Sequence, residues 1–395
     1  MEVIVLAGGL GTRLRSVVSE VPKCMAPVAG KPFLGWLLKS LCQYPVTHIV
    51  FSVGYLREQV ISYVEGHKWP FAYDFAVEET PLGTGGGIRL ALEKCREDHV
   101  FVVNGDTFFP VDLSAMPFTH AVTLALKPMN DFDRYGAVSA IATPTHADAL
   151  EVTAFHEKTH CKEGLINGGV YAIDRSRLDL SSLPEKFSFE KEVLEPGAAI
   201  GEIGGWVSNA YFIDIGIPED FEKAQWALPA WFAVQEASEA VLQTSAHTLF
   251  LDRDGVLNRH IPGYVTEWSE WDWMPGILQE LSKWARKFQH IILVTNQRGV
   301  GKGIMTDAQL SQVHARMMQE VLDAGGRIDL ILACTAVSEE DPRRKPSPGM
   351  FHEACSLFPD IDAKSSVMLG DAPSDAAFAQ NCAMPFILLN PEAVS

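Results

Sequence analysis

A chain of 395 residues is longer than one ordinary hydrophobic core organises, so two domains are expected. Hydrophobic residues make up 47% and charged residues 21%, a soluble globular balance, and a formal net charge of −18 argues against a nucleic-acid partner, because phosphate backbones are bound by surplus Lys and Arg. Seven Cys residues without a Cys-x-x-Cys pair fit free thiols in a reducing cytoplasm, and Met1-Glu2 leads straight into a strand with no signal peptide.

Short β-branched runs alternate with helical patterns from the start. Strands are predicted at Val3–Val5, His48–Phe51 and Val100–Val103, and helices near Phe33–Leu41 and Leu56–Val64. The alternation predicts an α/β fold with a mostly parallel sheet covered by helices on both faces. From Pro218 to about Leu242 the pattern turns helical, broken by Pro229; within it the most apolar stretch, Ala224 to Leu242, carries Gln225, Gln235, Glu236 and Glu239 and is excluded as a membrane span. The expected organisation is a first domain over 1–225, a helical connector over 226–246 and a second domain over 247–395. There a second alternation follows, with strands near Thr248–Leu251, Ile291–Val294, Asp329–Ala333, Ser366–Leu369 and Pro385–Leu389, and Pro275 placed for the first turn of a helix.

The first strand runs out into Leu6-Ala7-Gly8-Gly9-Leu10-Gly11-Thr12-Arg13-Leu14. Glycines after a strand let backbone N–H groups approach phosphate oxygens without a Cβ in the way. Arg13 and Lys23 supply the cations that a triphosphate needs. A glycine turn alone is weak, but the string through Pro22-Lys23 is specific, and it resembles the sugar-1-phosphate nucleotidyltransferases over residues 1 to about 226. The resemblance continues in Glu79-Thr80-Pro81-Leu82-Gly83-Thr84-Gly85-Gly86, similar to the family's nucleobase-binding turn. It also takes in Asn104-Gly105-Asp106, Phe155-His156-Glu157-Lys158, Asn167-Gly168-Gly169 and Phe212-Ile213-Asp214-Ile215-Gly216. It implies a GT-A-like fold in which Leu6, Gly8, Gly9, Gly11, Thr12, Glu79, Gly83 and Thr84 bind the nucleotide. Asp106 and Asp214 would hold Mg²⁺, Arg13 and Lys23 would neutralise the leaving pyrophosphate, and Lys158, Glu157, Asn167 and Gly168 would form the sugar-phosphate pocket. Within the family the likeness is strongest to the heptose-1-phosphate guanylyltransferases.

A second signature, Asp252-Arg253-Asp254-Gly255, ends the apolar run Thr248–Leu251. Thr295-Asn296, Arg344-Lys345-Pro346 and Gly370-Asp371 with Asp375 follow in order. Asp residues capping helices do not easily account for four motifs in sequence. The set resembles the haloacid-dehalogenase (HAD) phosphohydrolases over about residues 247–390. It implies Asp252 as nucleophile, Asp254 as acid then base, Thr295 and Lys345 on the phosphoryl oxygens, Asn296 and Arg344 on the substrate, and Mg²⁺ on Asp252, Asp371 and the Asp254 carbonyl. Asp252 and Thr295 are 43 residues apart and Thr295 and Lys345 are 50 apart, too few for an inserted cap domain. The likeness is to the capless heptose-1,7-bisphosphate 7-phosphatases, with histidinol phosphatases as cousins. One departure stands out: Cys334 to Arg343 carries a single Cys and no His, so no zinc is expected. Trp268, Trp271 and Trp273 are read as packing or a domain contact in preference to a sugar-stacking wall.

Together the two resemblances imply two Rossmann-like doubly wound domains and a cytoplasmic bifunctional enzyme. It would use Mg²⁺ in both domains, act on GTP and heptose phosphates, and require neither nucleic acid nor membrane; homo-oligomerisation stays open. Another sugar with UTP or ATP as donor, or a nucleotide-sugar sensor with a phosphatase acting on a protein or nucleotide, are the alternatives.

Overall fold

The computed structural model describes residues 1–9, 20–143 and 146–394. It divides into two compact units, Met1–Gln225 and Trp226–Ser395.

In the first unit the strands are β1 (Glu2–Leu6), β2 (Pro27–Val28), β3 (Lys31–Pro32), β4 (His48–Val53), β5 (Ala72–Val77), β6 (His99–Asn104), β7 (Thr107–Phe108), β8 (Val122–Phe132), β9 (Gly136–Thr143), β10 (His146–Lys158), β11 (Cys161–Asp174), β12 (Ile203–Val207) and β13 (Ile213–Asp214). The helices are α1 (Phe33–Leu41), α2 (Arg57–Glu65), α3 (Gly83–Leu92) and α4 (Glu195–Ala199). Nine strands form one sheet in the order β5-β4-β1-β6-β11-β8-β12-β10-β9. Val3 and Val5 pack on one face with Leu34, Leu38 and Val60, and Ile4 packs on the other with Ile88 and Ala91. The two-residue period of a strand thus fills both layers, as a strand covered on both faces requires.

The expectation of a mostly parallel sheet holds for β5-β4-β1-β6 and for the β8–β12 pair and fails in the other pairings. β11 pairs antiparallel with β6 and β8, and β10 antiparallel with β12 and β9. β9 and β10, separated by only two residues, can only return antiparallel, because a parallel return needs a crossover.

The second unit contains β14 (Thr248–Leu251), β15 (His290–Asn296), β16 (Leu330–Cys334), β17 (Ser366–Gly370) and β18 (Phe386–Leu388). All are parallel, in the order β16-β15-β14-β17-β18. Around them run α6 (Ile277–Lys287), α7 (Arg298–Gly301), α8 (Asp307–Asp323), α9 (Gly349–Leu357) and α10 (Pro373–Asn381), and no cap subdomain interrupts the sequence from Asp252 to Lys345.

The long helix α5 (Pro218–Gln243) carries Pro229 in its interior without the expected break. A proline there removes a hydrogen bond at a cost of about 3 kcal/mol, but Ala227, Leu228, Ala230, Trp231, Phe232, Ala233 and Val234 are all buried around it. Packing of that apolar run offsets the loss. Pro275 likewise lies outside its helix: α6 starts at Ile277 after Gly276, whose φ of 83° turns the chain first. Among the described residues no helix is long and apolar enough to cross a membrane.

Candidate active sites

Both units place a pocket where their strand order reverses, the edge at which open α/β sheets take ligands. In the first unit that point lies between β1 and β6. Gly105 donates its N–H to the Leu6 carbonyl at 3.0 Å, and a Cβ on Gly105 would sit 2.6 Å from that oxygen. The two strand ends can therefore meet only through glycine. The resulting cavity of ≈ 320 Å³ is lined by Leu6, Gly8, Gly9, Ser52, Glu78, Pro81, Gly83, Thr84, Gly87, Asn104 and Asp106.

The β7–β13 ladder pairs Asp214 with Thr107 and so carries Asp214 beside Asp106. Lys23 Nζ donates to Asp106 at 2.6 Å and to Asp214 at 3.1 Å, and the Gly216 N–H donates to Asp214 at 2.8 Å. Burial raises the pKa of Asp214 and the Asp106 charge adds to this, while Lys23 opposes both. Burial alone would depress Lys23, but the two carboxylates hold it above its ordinary value. Two carboxylates close enough to share one ammonium suit a hard divalent cation equally well.

Other expected residues fall differently. Gly11, Thr12 and Arg13 lie outside the described residues. Glu79 does not line the cavity: its carboxylate is largely exposed and pairs with Arg57 at 3.1 Å. Its neighbour Glu78 takes that place, accepting from Ser52 Oγ at 3.0 Å and from the Leu82 N–H at 3.0 Å. Thr84 is tied to Glu190 and to the Phe189 N–H, and Gly83, at φ 75°, passes under the Phe187 carbonyl where a Cβ would come within 2.5 Å. Asn167 and Gly168 form a bulge in β11, and Gly169 packs directly on Asn104 of the cavity wall. Glu157 and Lys158, exposed at the end of β10, do not line the cavity.

In the second unit the reversal lies between β14 and β17, which are followed directly by Asp252 and Asp371. A cavity of ≈ 210 Å³ is lined by Asp252, Asp254, His260, Ile261, Gly263, Tyr264, Val265, Thr295, Asn296, Lys345, Asp371, Ala372 and Ser374. Buried Lys345 reaches Asp252 at 2.7 Å and Asp375 at 2.6 Å. Burial pushes the Asp252 carboxyl up to about 7 against the pull of Lys345, and burial beside Asp375 pushes Asp371 up to about 6. Ligand oxygens of Asp252, Asp371 and Asp375 lie within 4.8 Å of one another, an all-oxygen set that fits a hard cation.

Asp254 is held differently. Arg253 donates to both its oxygens at 3.0 Å, Asn258 Nδ2 at 3.0 Å and Gln297 Nε2 at 2.8 Å. Burial would raise this carboxyl, but Arg253 and the other donors hold it below the usual range. Gln297 also donates to Thr295 Oγ1 at 2.8 Å, coupling the two groups. Asn296 exchanges two hydrogen bonds of 3.0 Å with the Lys345 backbone and so fixes the turn that presents the lysine. Arg344 does not line the cavity; its guanidinium turns toward Glu339 at 3.9 Å.

The profile of the nucleotidyl transferase family matches residues 2–229, more than half of the chain. The chain belongs to that family. Over 230 residues the transferase is 45% identical to D-glycero-alpha-D-manno-heptose 1-phosphate guanylyltransferase of Aneurinibacillus thermoaerophilus, covering 57% of this chain and 97% of that protein. A crystal structure of HddC from Yersinia pseudotuberculosis complexed with GMP-PN is 36% identical, with a TM-score of 0.51, covering 57% of this chain and 97% of the other. The profile described as polynucleotide kinase 3 phosphatase matches residues 249–393. Over 137 residues the second unit is 36% identical to D-glycero-alpha-D-manno-heptose-1,7-bisphosphate 7-phosphatase of Mycobacterium tuberculosis, covering 34% of this chain and 72% of that protein. The enzyme therefore joins a nucleotidyltransferase to a HAD-like phosphatase, two families that generally use Mg²⁺.

Sequence reasoning missed several residues of these sites. Glu78 shares a face with buried Ala76 by the two-residue strand period, a signal that would have separated it from Glu79. Arg253 is fully buried under Trp271, its guanidinium 5.8 Å from that ring, and next to His314, which burial and the Arg253 charge depress to about 4. Trp268 and Trp271 stack at 5.2 Å, and Trp273 Nε1 donates to Glu320 on α8.

Proposed function

We propose that the second unit removes the 7-phosphate of D-glycero-α-D-manno-heptose 1,7-bisphosphate and that the first transfers GMP from GTP to the heptose 1-phosphate so formed, yielding GDP-heptose and pyrophosphate. One observation carries this reading. The two halves separately resemble enzymes of consecutive reactions, so that what one releases the other consumes. A net charge of −18 also favours small phosphorylated substrates over a polynucleotide.

In the phosphatase, a carboxylate oxygen of Asp252 attacks phosphorus and the sugar alkoxide departs with a proton from Asp254. Asp254 acquires that proton as the phosphoryl dianion approaches, since added negative charge raises its proton affinity. It then takes a proton from water, which attacks the aspartyl phosphate and restores Asp252. Thr295 and Lys345 hold the phosphoryl oxygens. Asp252, Asp371 and the Asp254 carbonyl would hold Mg²⁺, which supplies charge neutralisation at those oxygens.

In the transferase, an oxygen of the sugar phosphate attacks the α-phosphorus of GTP and pyrophosphate leaves. Alignment and charge carry most of the rate. Asp106 and Asp214 would hold Mg²⁺, leaving Lys23 with Arg13 for the pyrophosphate, and Lys158 for the sugar phosphate. Glu78 replaces Glu79 as the acceptor for the guanine N1–H and N2–H edge, because Glu78 lines the cavity.

A matrix of nucleoside triphosphates against sugar 1-phosphates, read by pyrophosphate release, tests the assignment. GTP with the heptose 1-phosphate is expected to be fastest; faster release from UTP or ATP with another sugar would replace it.

A further inference from the structure

Beside the pocket at Asp252 lies a larger cleft of ≈ 760 Å³ within the same unit. The two adjoin across His260, Asp371 and Ala372, which line both. Trp226 and Ala230 of α5 line the cleft together with Met274, Phe386 and Leu388, and Arg259 and His260 bring positive or protonatable nitrogen to it. The Arg259 guanidinium lies 4.4 Å from the Trp226 ring centroid. Its backbone is fixed relative to the catalytic loop: the Arg259 N–H donates to the Asp272 carbonyl at 2.7 Å, and the preceding Asn258 holds Asp254.

The volumes decide where a long substrate can go. Pockets that bury most of a drug-sized ligand measure about 300–1,000 Å³, so a cavity of ≈ 210 Å³ takes the reacting phosphoryl group and adjoining carbons but not a seven-carbon sugar with a second phosphate. Arg344 does not face that cavity. The adjoining cleft has the volume and a forked cation, held against the Trp226 ring, that is suited to phosphate.

We propose that the cleft of Trp226, Arg259 and His260 binds the non-reacting end of a sugar bisphosphate, with Arg259 taking the second phosphate while the first lies at Asp252. Arg259 is thus a specificity residue that separates bisphosphates from monophosphates. The inference rests on the bisphosphate reading above, and its test keeps the two apart.

Full-length wild type, Arg259→Ala and Arg259→Lys are assayed for phosphate release from heptose 1,7-bisphosphate and from heptose 7-phosphate. Wild type is expected to favour the bisphosphate by tenfold or more in kcat/KM. Arg259→Ala should cut that ratio by tenfold or more, chiefly through KM for the bisphosphate, with Arg259→Lys intermediate because an ammonium keeps charge without the fork. A wild-type ratio near one, turnover of monophosphates alone, or a ratio unchanged in Arg259→Ala overturns the subsite. If the enzyme prefers a different sugar bisphosphate, the heptose assignment falls and the ratio is measured on that sugar and its monophosphate. There the same collapse in Arg259→Ala supports the subsite and its absence overturns it.

Discussion

The Lys345 ammonium stands 2.7 Å from a carboxylate oxygen of Asp252, with both side chains almost wholly buried. The same ammonium is 2.6 Å from Asp375, so one cation serves two carboxylates in a site that also holds Asp371. Replacing it by a neutral side chain leaves these charges buried without compensation. Lys345→Met is expected to lower phosphate release by a thousandfold or more and to destabilise the second unit by about 3–5 kcal/mol. Urea unfolding followed by tryptophan fluorescence checks the second figure; a change under 1 kcal/mol would mean that the pair is not what holds the site.

The two chemistries are expected to be separable. Asp252→Asn should abolish phosphate release while leaving nucleotidyl transfer to supplied heptose 1-phosphate near the wild-type rate, and Asp106→Ala should do the reverse. Loss of both activities from a folded single variant would refute two independent sites.

Dephosphorylation is expected to come first. Of the cations proposed for the transferase, Lys23 and Arg13 go to the pyrophosphate and Lys158 to the 1-phosphate, so a second phosphate on the sugar would lack a cationic partner of its own. Given GTP and the 1,7-bisphosphate, Asp252→Asn should release little pyrophosphate until an external 7-phosphatase is added. Rapid formation of a 7-phosphorylated nucleotide sugar would reverse the order.

Metal removal is expected to silence both sites and Mg²⁺ to restore them. Cys334 lies 3.8 Å from Asp341, and among the described residues the one group of three or more metal-binding side chains is the all-carboxylate set of Asp252, Asp371 and Asp375. Elemental analysis should therefore find no stoichiometric zinc. One zinc per chain, lost together with phosphatase activity, would contradict this.

Glu2 gives the first unit a pH-dependent component of stability. Its carboxylate accepts from the Arg96 and Glu97 N–H groups at 2.7 Å each and bonds His48 at 2.8 Å. Burial opposes ionisation, but these contacts leave its pKa lowered overall. A lowered folded pKa means the contribution is complete above the unfolded value of about 4.3 and disappears as pH falls through the folded value. The stability difference between wild type and Glu2→Gln should shrink as pH falls below about 4.3; a difference that grows over that range would reverse the assignment.

What the sequence by itself determined is what local chemistry encodes. Apolar runs of strand length ending in Gly8-Gly9, Asn104-Gly105-Asp106, Asp252, Thr295 and Gly370-Asp371 mark the places where strands stop and ligands begin, because strand period and turn glycines are written in neighbouring residues. Tertiary structure decided the rest. Strand phase against β4 put Glu78 and not Glu79 on the cavity wall, the β7–β13 ladder brought Asp214 to Asp106, and β11 joined the sheet antiparallel to β6 and β8. The fold around Pro229 kept α5 continuous, and the turn fixed by Asn296 aimed Lys345 at Asp375 while Arg344 faced away. Each of these outcomes depends on partners far apart in the chain, whose burial and charge act only once the fold has brought them together.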